Sequence, residues 1–306
     1  MKSILFVKTS SLGDVVHNCP AVSDVARGVP QVEIDWVVEE PFAAIAAMHA
    51  SVRRVIPIAI RRWRSALWNP AVWSEIRAFR QFLRDAHYEV VIDTQSLLKS
   101  ALVTAFTSGK KHGMDRRSAR EPLAARFYDV THDVPRALHA VERNRRLAAA
   151  SLGYAFNGKC HYGLRAPGRG GSDEIVFLTM TSRADKLWPE RNWIELGRSL
   201  GANIVLPWGT SRERRRAERI AAAISDAVVP ERMALDELAK RFVRARAVVG
   251  LDTGLTHLAA ALGVRTVGIY CSSDPALTGL YGVPGAKNLG GPGTPPAVSE
   301  VLQSLA

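Results

Sequence analysis

The sequence predicts an α/β protein built from two domains, each with a parallel sheet. Short apolar runs alternate with helical patterns along the whole chain, which favours strands joined by helical crossovers. Polar and glycine residues follow most of the predicted strands, as expected of loops at the carboxyl ends of parallel strands. The segment Lys159–Ser172 is dense in glycine and proline and interrupts this alternation. We therefore predict two domains, residues 1–165 and 166–306.

Length and composition indicate a globular protein. The chain has 306 residues, of which 47% are hydrophobic, enough for two well-formed cores. No apolar run reaches the length of about 18 residues that a spanning helix needs, and the Ile4–Val7 run is too short for a signal peptide. We therefore expect a cytoplasmic protein. Cys19, Cys160 and Cys271 lack CxxC spacing, which argues against a disulfide framework or a structural zinc site and predicts buried thiols.

The chain is strongly basic, with a net charge of +12 and a pI of about 10.0. This charge favours an anionic partner, which could be nucleic acid, a phosphorylated metabolite or a membrane surface. The basic residues form three clusters, several of them in predicted loops: Arg53, Arg54, Arg61, Arg62 and Arg64; Lys110, Lys111, Arg116, Arg117 and Arg120; Arg143, Arg145 and Arg146. Each cluster is equally compatible with a solvated surface. Trp63 and Trp68 suit base stacking, but no nucleic-acid-binding motif accompanies them, so nucleic acid is the weaker alternative.

The first strand leads into a polar loop and a helix. Ile4–Val7 predicts the strand, Thr9–Asp14 the loop and Val15–Ala26 the helix, in which Pro20 marks either a kink or the effective first turn. Asp14 lies at the carboxyl end of the strand and at the start of the helix. Two roles remain open for it, the N-cap of the helix and a general base held in a cleft.

The rest of the first domain repeats the alternation. The predicted strands are Val32–Val38, Val52–Ile60 and Tyr88–Ile92, and the predicted helices are Glu75–Asp85 and Leu97–Phe106. Asp93, Thr94 and Gln95 again place polar groups directly after a strand. This order predicts a doubly wound parallel sheet.

The second domain has the same pattern. Its predicted strands are Ile175–Leu178, Ala202–Leu206 and Thr266–Tyr270. Its predicted helices are Pro189–Leu200, Glu213–Ile224, Leu235–Val243 and Val298–Leu305. Glu213 suits the hydroxyls of a ribose, but it equally suits the neighbouring arginines of its helix. Lys186 is either a phosphate ligand or an exposed lysine, and Met233 is by default a core residue.

The stretch Val248–Gly263, VVGLDTGLTHLAAALG, predicts a buried strand, a tight turn and a helix. A helix N-terminus at the carboxyl end of a parallel strand offers free N–H groups to a phosphate, and Gly254 permits close approach. Hydroxyls and an imidazole lie beside it, from Thr253, Thr256 and His257. The alternative is ordinary capping by Asp252 or Thr253, with His257 exposed to solvent.

Several segments, in order along the chain, resemble one enzyme family. They are KTSSLGDVVH, DWVVEE, IRRWR, KHGMDRRSAREPLA, HAVERNR, LPWG and VGLDTGLTHLAAALG. Together they are similar to the ADP-heptose:lipopolysaccharide heptosyltransferases, and most of all to the heptosyltransferase I branch. The resemblance covers nearly the whole chain. It implies the GT-B architecture, two Rossmann-like domains with parallel sheets facing a central cleft, the N-terminal domain binding the acceptor and the C-terminal domain the nucleotide sugar.

The resemblance also implies a reaction. Such enzymes transfer L-glycero-D-manno-heptose from ADP-heptose to the inner Kdo of Kdo-bearing lipid A, with inversion, during assembly of the lipopolysaccharide inner core. Asp14 matches the position of the general base. No metal and no cofactor is implied. The basic excess would hold such an enzyme peripherally on the anionic cytoplasmic face of the inner membrane.

Matching positions imply two sets of binding residues. The donor set is Thr181, Ser182, Lys186, Glu213, Met233, Asp252, Thr253, Gly254 and His257. The acceptor set is Arg61, Arg62, Arg64, Arg120, His139 and Arg143. Ser182 replaces a threonine expected in the family. The tail from Gly290 onward is shorter than the family's final helix, which predicts a weaker brace between the domains.

Three other functions remain compatible with these residues. The second heptosyltransferase, which adds heptose to heptose, is the nearest, although IRRWR and SAREPLA favour the first enzyme. The others are a nucleotide-binding protein without transfer chemistry and a nucleic-acid binder, whose affinity would depend steeply on salt.

Overall fold

The computed structural model describes residues 2–155, 159–168 and 171–306. Two residues of the predicted boundary segment Lys159–Ser172, numbers 169 and 170, lie outside the described residues. The chain divides into two compact units, Met1–Gly163 and Leu164–Ala306, which we call the N-terminal and C-terminal units.

The N-terminal unit contains a six-stranded parallel sheet. Its strands are β1 (Lys2–Val7), β2 (Val32–Glu39), β3 (Val52–Ile58), β4 (Val90–Asp93), β5 (Lys110–Met114) and β6 (Val130–His132). They follow the order β3-β2-β1-β4-β5-β6. The central strand β1 is buried over Ile4–Val7, which explains its continuous apolar run. β5 and β6 were not predicted, because their sequences KKHGM and VTH carry no apolar run.

The helices of this unit are α1 (Leu12–Gly28), α2 (Ala43–Ala47), α3 (Ile60–Arg64), α4 (Pro70–Asp85), α5 (Leu98–Ala105) and α6 (Ala140–Leu152). α1 begins at Leu12, before the predicted start, so Pro20 lies inside the helix and does not mark its first turn. α4 begins at Pro70, because the Asn69 side chain accepts a hydrogen bond from its first turn.

Three arginines of the basic clusters form ion pairs with buried carboxylates of the N-terminal unit. On β3, Arg53 and Arg54 form ion pairs of 2.9 and 2.7 Å with Asp35, which is fully buried on β2. Arg53 and Arg54 therefore pair with a buried carboxylate of their own sheet. Arg145 on α6 pairs with Asp24 on α1 at 2.6 Å, and both side chains are buried. A charge buried in this way needs its partner, because isolated burial is costly.

The C-terminal unit contains a second parallel sheet of six strands. They are β7 (Ile175–Leu178), β8 (Ile204–Val205), β9 (Ala227–Val228), β10 (Ala247–Leu251), β11 (Thr266–Tyr270) and β12 (Ala286–Gly290). The order β12-β11-β10-β7-β8-β9 repeats the doubly wound order of the first sheet. The prediction of two Rossmann-like units with parallel sheets is confirmed. The order in which strands are added to each sheet reverses between β1 and β4 and between β7 and β10, which we call the switch points, and ligands of such sheets bind there.

The helices of this unit are α7 (Glu190–Leu200), α8 (Ser211–Ala221), α9 (Leu235–Phe242), α10 (Gly254–Ala261), α11 (Pro275–Thr278) and α12 (Val298–Leu305). Trp193 of α7 lies 5.0 Å from the Phe177 ring and 5.2 Å from the Trp188 ring. Val301 and Leu305 of α12 join the same core. The helix predicted over Val298–Leu305 is confirmed, and it packs on its own unit.

All three cysteines are free thiols. Cys19 and Cys271 are buried as predicted, whereas Cys160 is half-buried. None of the helices in the described part of the chain is long and apolar enough to span a membrane.

Candidate active site

The switch point of the N-terminal unit is built from the loops that follow β1 and β4. The Gln95 amide joins them. Its Oε1 accepts hydrogen bonds from the N–H groups of Thr9 and Ser10, at 3.0 and 3.1 Å, and its Nε2 donates to the Ser10 carbonyl at 2.5 Å. The loop before α1 is therefore held in place by a residue of the neighbouring strand end.

Asp14 lies at this switch point, on the third residue of α1. Its Oδ2 accepts hydrogen bonds from the Ser11 N–H at 2.9 Å and from the Ser11 hydroxyl at 3.2 Å. Ser11 is thus the N-cap, and the expectation that Asp14 could occupy that position is wrong. Oδ1 lies 3.3 Å from the Arg120 guanidinium, and the side chain remains 25% exposed. Asp14 therefore supports the helix start while one carboxylate oxygen stays accessible.

Two lysines that sequence reasoning missed lie beside Asp14. The Lys8 ammonium donates a hydrogen bond of 2.7 Å to the Thr94 carbonyl, and burial lowers the pKa of Lys8 to about 8, against the opposing effect of Asp14. The Lys99 ammonium donates to the Ser10 hydroxyl at 2.6 Å, and burial lowers the pKa of Lys99 as well. The sequence did carry a signal for both residues. Lys8 directly follows the first predicted strand, and Lys99 lies in the predicted helix that follows the polar residues Asp93, Thr94 and Gln95.

Three predicted acceptor arginines belong to the same charge cluster. The charges of Arg120 and Arg143 act on Lys8, and that of Arg61 acts on Lys99. The Arg143 guanidinium is partly buried, which lowers its pKa, and it donates a hydrogen bond of 2.5 Å to a backbone carbonyl. The cluster places positive charge around the Asp14 carboxylate, which solvent can reach, an arrangement suited to anionic ligands.

The other predicted acceptor residues are placed differently. Arg62 forms ion pairs of 3.0 and 2.9 Å with Glu40 and Glu75, and Arg64 is exposed in the last turn of α3. Neither forms a hydrogen bond or ion pair with Asp14 within the described residues. His139 is the N-cap of α6, and its ring lies 5.5 Å from that of His17 on α1.

In the C-terminal unit, Asp252 organises the switch point. Its Oδ2 accepts hydrogen bonds of 2.6 Å from the Lys186 ammonium and from the Ser273 hydroxyl, and its Oδ1 lies 3.3 Å from the His257 Nε2. Burial raises the pKa of the Asp252 carboxyl, but hydrogen bonds from His257, Lys186 and Ser273 outweigh it, so the pKa lies well below its usual range. Lys186 is held by this pair and His257 is buried, so the alternatives of an exposed lysine and a solvated histidine are wrong.

The N-terminus of α10 lies directly after Asp252. The Thr253 side chain makes no capping hydrogen bond, and the Asp252 carboxylate has the partners just described, so the capping alternative is wrong. The first-turn N–H groups are thus available to an anion. The Thr181 hydroxyl donates to the Asp252 carbonyl at 3.3 Å and so joins the loops after β7 and β10.

Glycine is required at position 250, two residues before Asp252. A Cβ at Gly250 would clash with the Thr256 hydroxyl and would lie 3.0 Å from the Leu178 Cβ. The Thr256 hydroxyl donates a hydrogen bond of 2.6 Å to the Leu251 carbonyl, so it is not free to move aside. The close approach of β10 and α10 at this turn therefore requires glycine, which has no side chain, at position 250.

The remaining donor candidates lie on loops and a helix start. The Glu213 carboxylate accepts hydrogen bonds from the N–H groups of Gly209 and Thr210, at 2.7 and 3.1 Å, and so caps α8. It does not pair with the arginines of its helix, two of which pair with Glu190 instead. Ser182 is exposed and Met233 is half-buried, so Met233 is not a buried core residue.

Comparison with known proteins identifies the family. The model of glycosyltransferase family 9 (heptosyltransferase) matches residues 76–291. Lipopolysaccharide heptosyltransferase 1 of Pseudomonas aeruginosa is 48% identical over 289 residues, which cover 91% of this chain and 81% of that protein. The chain belongs to glycosyltransferase family 9. The resemblance seen in the sequence motifs is confirmed, and the protein is a glycosyltransferase of the heptosyltransferase family.

Solved family 9 structures extend the match to the full fold. The E. coli heptosyltransferase WaaC with ADP superposes with a TM-score of 0.91 at 42% identity, covering 98% of each chain. The same enzyme with ADP-2-deoxy-2-fluoro heptose gives a TM-score of 0.88 at 41% identity, again covering 98% of each chain. Family membership does not favour the nucleic-acid-binding or the non-catalytic alternative.

Proposed function

We propose that this family 9 enzyme transfers L-glycero-D-manno-heptose from ADP-heptose to the inner Kdo of Kdo-bearing lipid A, with inversion, during assembly of the lipopolysaccharide inner core. The observation that carries the proposal is Asp14, an accessible carboxylate at a switch point within a cluster of cations. Similarity to a lipopolysaccharide heptosyltransferase 1 and to a structure with an ADP-heptose analogue supports the acceptor and the donor.

The C-terminal unit provides the donor site in this proposal. The N–H groups of the first turn of α10, beginning at Gly254, bind the diphosphate together with Lys186, which Asp252 holds in place. The hydroxyls of Thr181, Ser182 and Thr253 add donors to the phosphates or the sugar. Glu213 accepts hydrogen bonds from the ribose hydroxyls, Met233 lies beside the adenine, and Asp252 and His257 lie near the heptose.

The N-terminal unit provides the base. The Asp14 carboxylate takes the proton of the acceptor hydroxyl while that oxygen forms a bond to the anomeric carbon of the heptose. The bond between this carbon and the diphosphate oxygen breaks, and its electron pair leaves with ADP. Attack opposite to the leaving group inverts the anomeric configuration. Lys186 and the α10 N-terminus stabilise the charge on the departing diphosphate, so we expect the reaction to need no metal and no cofactor.

Arginines and lysines of the N-terminal unit bind the acceptor in this proposal. Arg61, Arg120 and Arg143 pair with carboxylates of Kdo or phosphates of lipid A, because guanidinium groups suit both anions. Arg62, Arg64 and His139 extend this surface. The enzyme acts on the cytoplasmic face of the inner membrane as a peripheral protein, held by its basic charge.

The test is a mass-spectrometric assay of the purified chain with ADP-heptose, Kdo-bearing lipid A and a metal chelator. We expect the mass of one added heptose, and we expect NMR of the product to show the anomeric configuration opposite to that of the donor. Faster transfer to an acceptor that already carries heptose would favour the second heptosyltransferase. ADP binding without transfer to either acceptor would contradict the proposal.

A further inference from the structure

The turn between α3 and α4 presents apolar side chains to solvent. Trp68 is 81% exposed, the most exposed large hydrophobic residue in the described part of the chain, and Leu67 and Trp73 are also exposed. Single exposed apolar residues are common on protein surfaces, but Leu67 and Trp68 of the turn and Trp73 of the first part of α4 are three within seven residues and form a patch. Such a patch marks a surface that meets an apolar or interfacial partner.

Hydrogen bonds hold this turn in shape. The Trp73 indole N–H donates to the Leu67 main-chain carbonyl at 2.8 Å, which holds the Trp73 ring against the backbone of the turn. The Asn69 N–H donates to the Ala66 carbonyl at 3.0 Å, and the Asn69 side chain accepts from the Ala71 N–H at 3.0 Å. Trp68 therefore points outward from an ordered turn, and its exposure is a property of the fold.

Positive charge surrounds the patch. Residues 60–85 contain six arginines and only two acidic residues. Arg62 is paired with Glu75, but no carboxylate among the described residues pairs with Arg64, Arg77 or Arg84. Arg77 and Arg84 lie along one groove on the outer face of α4, which begins beside the turn. Apolar and cationic groups thus share a continuous surface.

We infer that this surface, formed by Leu67, Trp68, Trp73, Arg77 and Arg84, docks onto an anionic phospholipid bilayer. Indole rings favour the headgroup region, where an apolar body and a polar N–H are both satisfied, and arginines pair with the lipid phosphates. Charge complementarity selects the anionic bilayer. A second copy of this chain is a poor partner, because each copy carries a net charge of +12.

The docking surface is linked to the switch point that holds Asp14. The Arg61 N–H, at the start of α3, donates a hydrogen bond of 2.8 Å to the Glu39 carboxylate, and the Glu39 N–H donates to the Thr9 carbonyl at 3.0 Å. Thr9 begins the loop that leads to Asp14. A bilayer against the turn would therefore present a lipid-linked acceptor beside the proposed base. This last step rests on the proposed function, whereas lipid binding itself does not.

Co-flotation with vesicles tests the docking surface. We expect the parent protein to bind vesicles of phosphatidylcholine mixed with phosphatidylglycerol, and to lose that binding in high salt or on phosphatidylcholine alone. Trp68→Ser and the double variant Arg77→Gln/Arg84→Gln should each weaken binding to the mixed vesicles by about tenfold or more. Matched controls in the C-terminal unit are Val228→Ser, which removes another exposed apolar side chain, and Arg244→Gln/Arg246→Gln, which removes two exposed charges. Both controls should bind as the parent does.

Transfer assays separate docking from catalysis. Trp68→Ser should leave transfer to a water-soluble Kdo acceptor without acyl chains unchanged, and should slow transfer to an acceptor embedded in mixed vesicles. Parent-like vesicle binding by Trp68→Ser, equal binding to both vesicle types, or a lipid-free dimer that this substitution dissociates would overturn the inference. Vesicle binding as expected without transfer by the parent would contradict the proposed function and leave the docking surface standing.

Discussion

The two switch points carry a carboxylate at equivalent strands, β4 and β10, but the surroundings of the two groups differ. Asp93 is fully buried, and burial raises the pKa of its carboxyl even though Tyr128 donates a hydrogen bond of 2.8 Å. Asp252 has a cationic partner, Lys186, and hydrogen bonds from His257, Lys186 and Ser273 lower the pKa of its carboxyl. Neutral donors let Asp93 stabilise a loop, whereas Asp252 holds Lys186 in position. Carboxylates at the same position of two similar sheets thus differ in role: Asp93 stabilises a loop, and Asp252 positions a cation.

Asp14 differs from both of these carboxylates. Its side chain is 25% exposed and its Oδ1 lies 3.3 Å from the exposed Arg120 guanidinium, whereas the Asp252 side chain is 9% exposed. A general base must be reached by the hydroxyl that it deprotonates, and a carboxylate with a lowered pKa is a weak base. This difference supports our proposal that the N-terminal unit provides proton transfer and the C-terminal unit binds the diphosphate.

The largest expected effect follows from replacing the proposed base. Asp14→Asn should lower kcat by about 1000-fold, because the amide keeps the hydrogen bonds of the helix start but cannot take the proton. ADP affinity, measured by calorimetry, should not change. The control is Ser11→Ala, which keeps the carboxylate and should cost about 1 kcal/mol of stability with kcat within a few-fold of the parent. Equal losses of activity in both variants would show that Asp14 only supports the start of α1 through its hydrogen bonds with Ser11.

The next effect concerns the cation of the C-terminal unit. Lys186→Gln should weaken ADP binding by about 30-fold, since a charge-assisted hydrogen bond to phosphate contributes about 2 kcal/mol. Lys240→Gln removes a partly exposed lysine of the same unit, which pairs with Asp236 on its own helix, and should bind ADP as the parent does. If Lys186→Gln binds ADP with an affinity within twofold of that of Lys240→Gln, Lys186 acts only as the partner of Asp252.

Acid should destabilise the N-terminal unit before the C-terminal unit. Burial lowers the pKa values of His49 and His112 to about 4, and His132 adds to the effect on His112. The unfolded chain binds protons first, so stability is lost as the pH falls from about 6.5 to about 4. The loss is at most about 1.4 kcal/mol per pH unit for each histidine.

Hydrogen exchange at pH 7 and pH 5 measures this difference between the units. His49→Asn should flatten the pH dependence of exchange in the N-terminal unit, whereas His87→Asn, at an exposed histidine, should not. An equal loss of protection in both units would contradict the assignment.

The smallest expected effect is at the proposed ribose ligand. Glu213→Gln keeps an oxygen that can cap α8, so stability should hold, while ADP affinity should fall about threefold because the acceptor loses its charge. Glu218→Gln, on the same helix and paired with Arg214, serves as the control for charge. No difference between the two variants would remove Glu213 from the donor site.

Much of the fold could be predicted because the central strands are buried on both faces and therefore read as apolar runs. The strands that escaped prediction are β5, β6, β9 and β12. The sequences KKHGM, VTH and AKNLG of β5, β6 and β12 lack such runs, and β9 has only two residues. The start of α1 was placed too late because Ser11, not Asp14, is the N-cap. Periodicity indicates where a helix lies, but its first residue depends on which side chain meets the free N–H groups.

The sequence by itself determined the alternation of strands and helices and the polar residues at strand ends, since both are local properties of the chain. Only the tertiary structure decided which of those residues meet. Gln95 reaches Ser10 across 85 residues, and Lys186 reaches Asp252 across 66. Strand order brings such distant loops to one edge of a sheet, and the cost of burying an unpaired charge selects the partners. The same cost ties Arg53 and Arg54 to Asp35, although in sequence they look no different from arginines of a binding site.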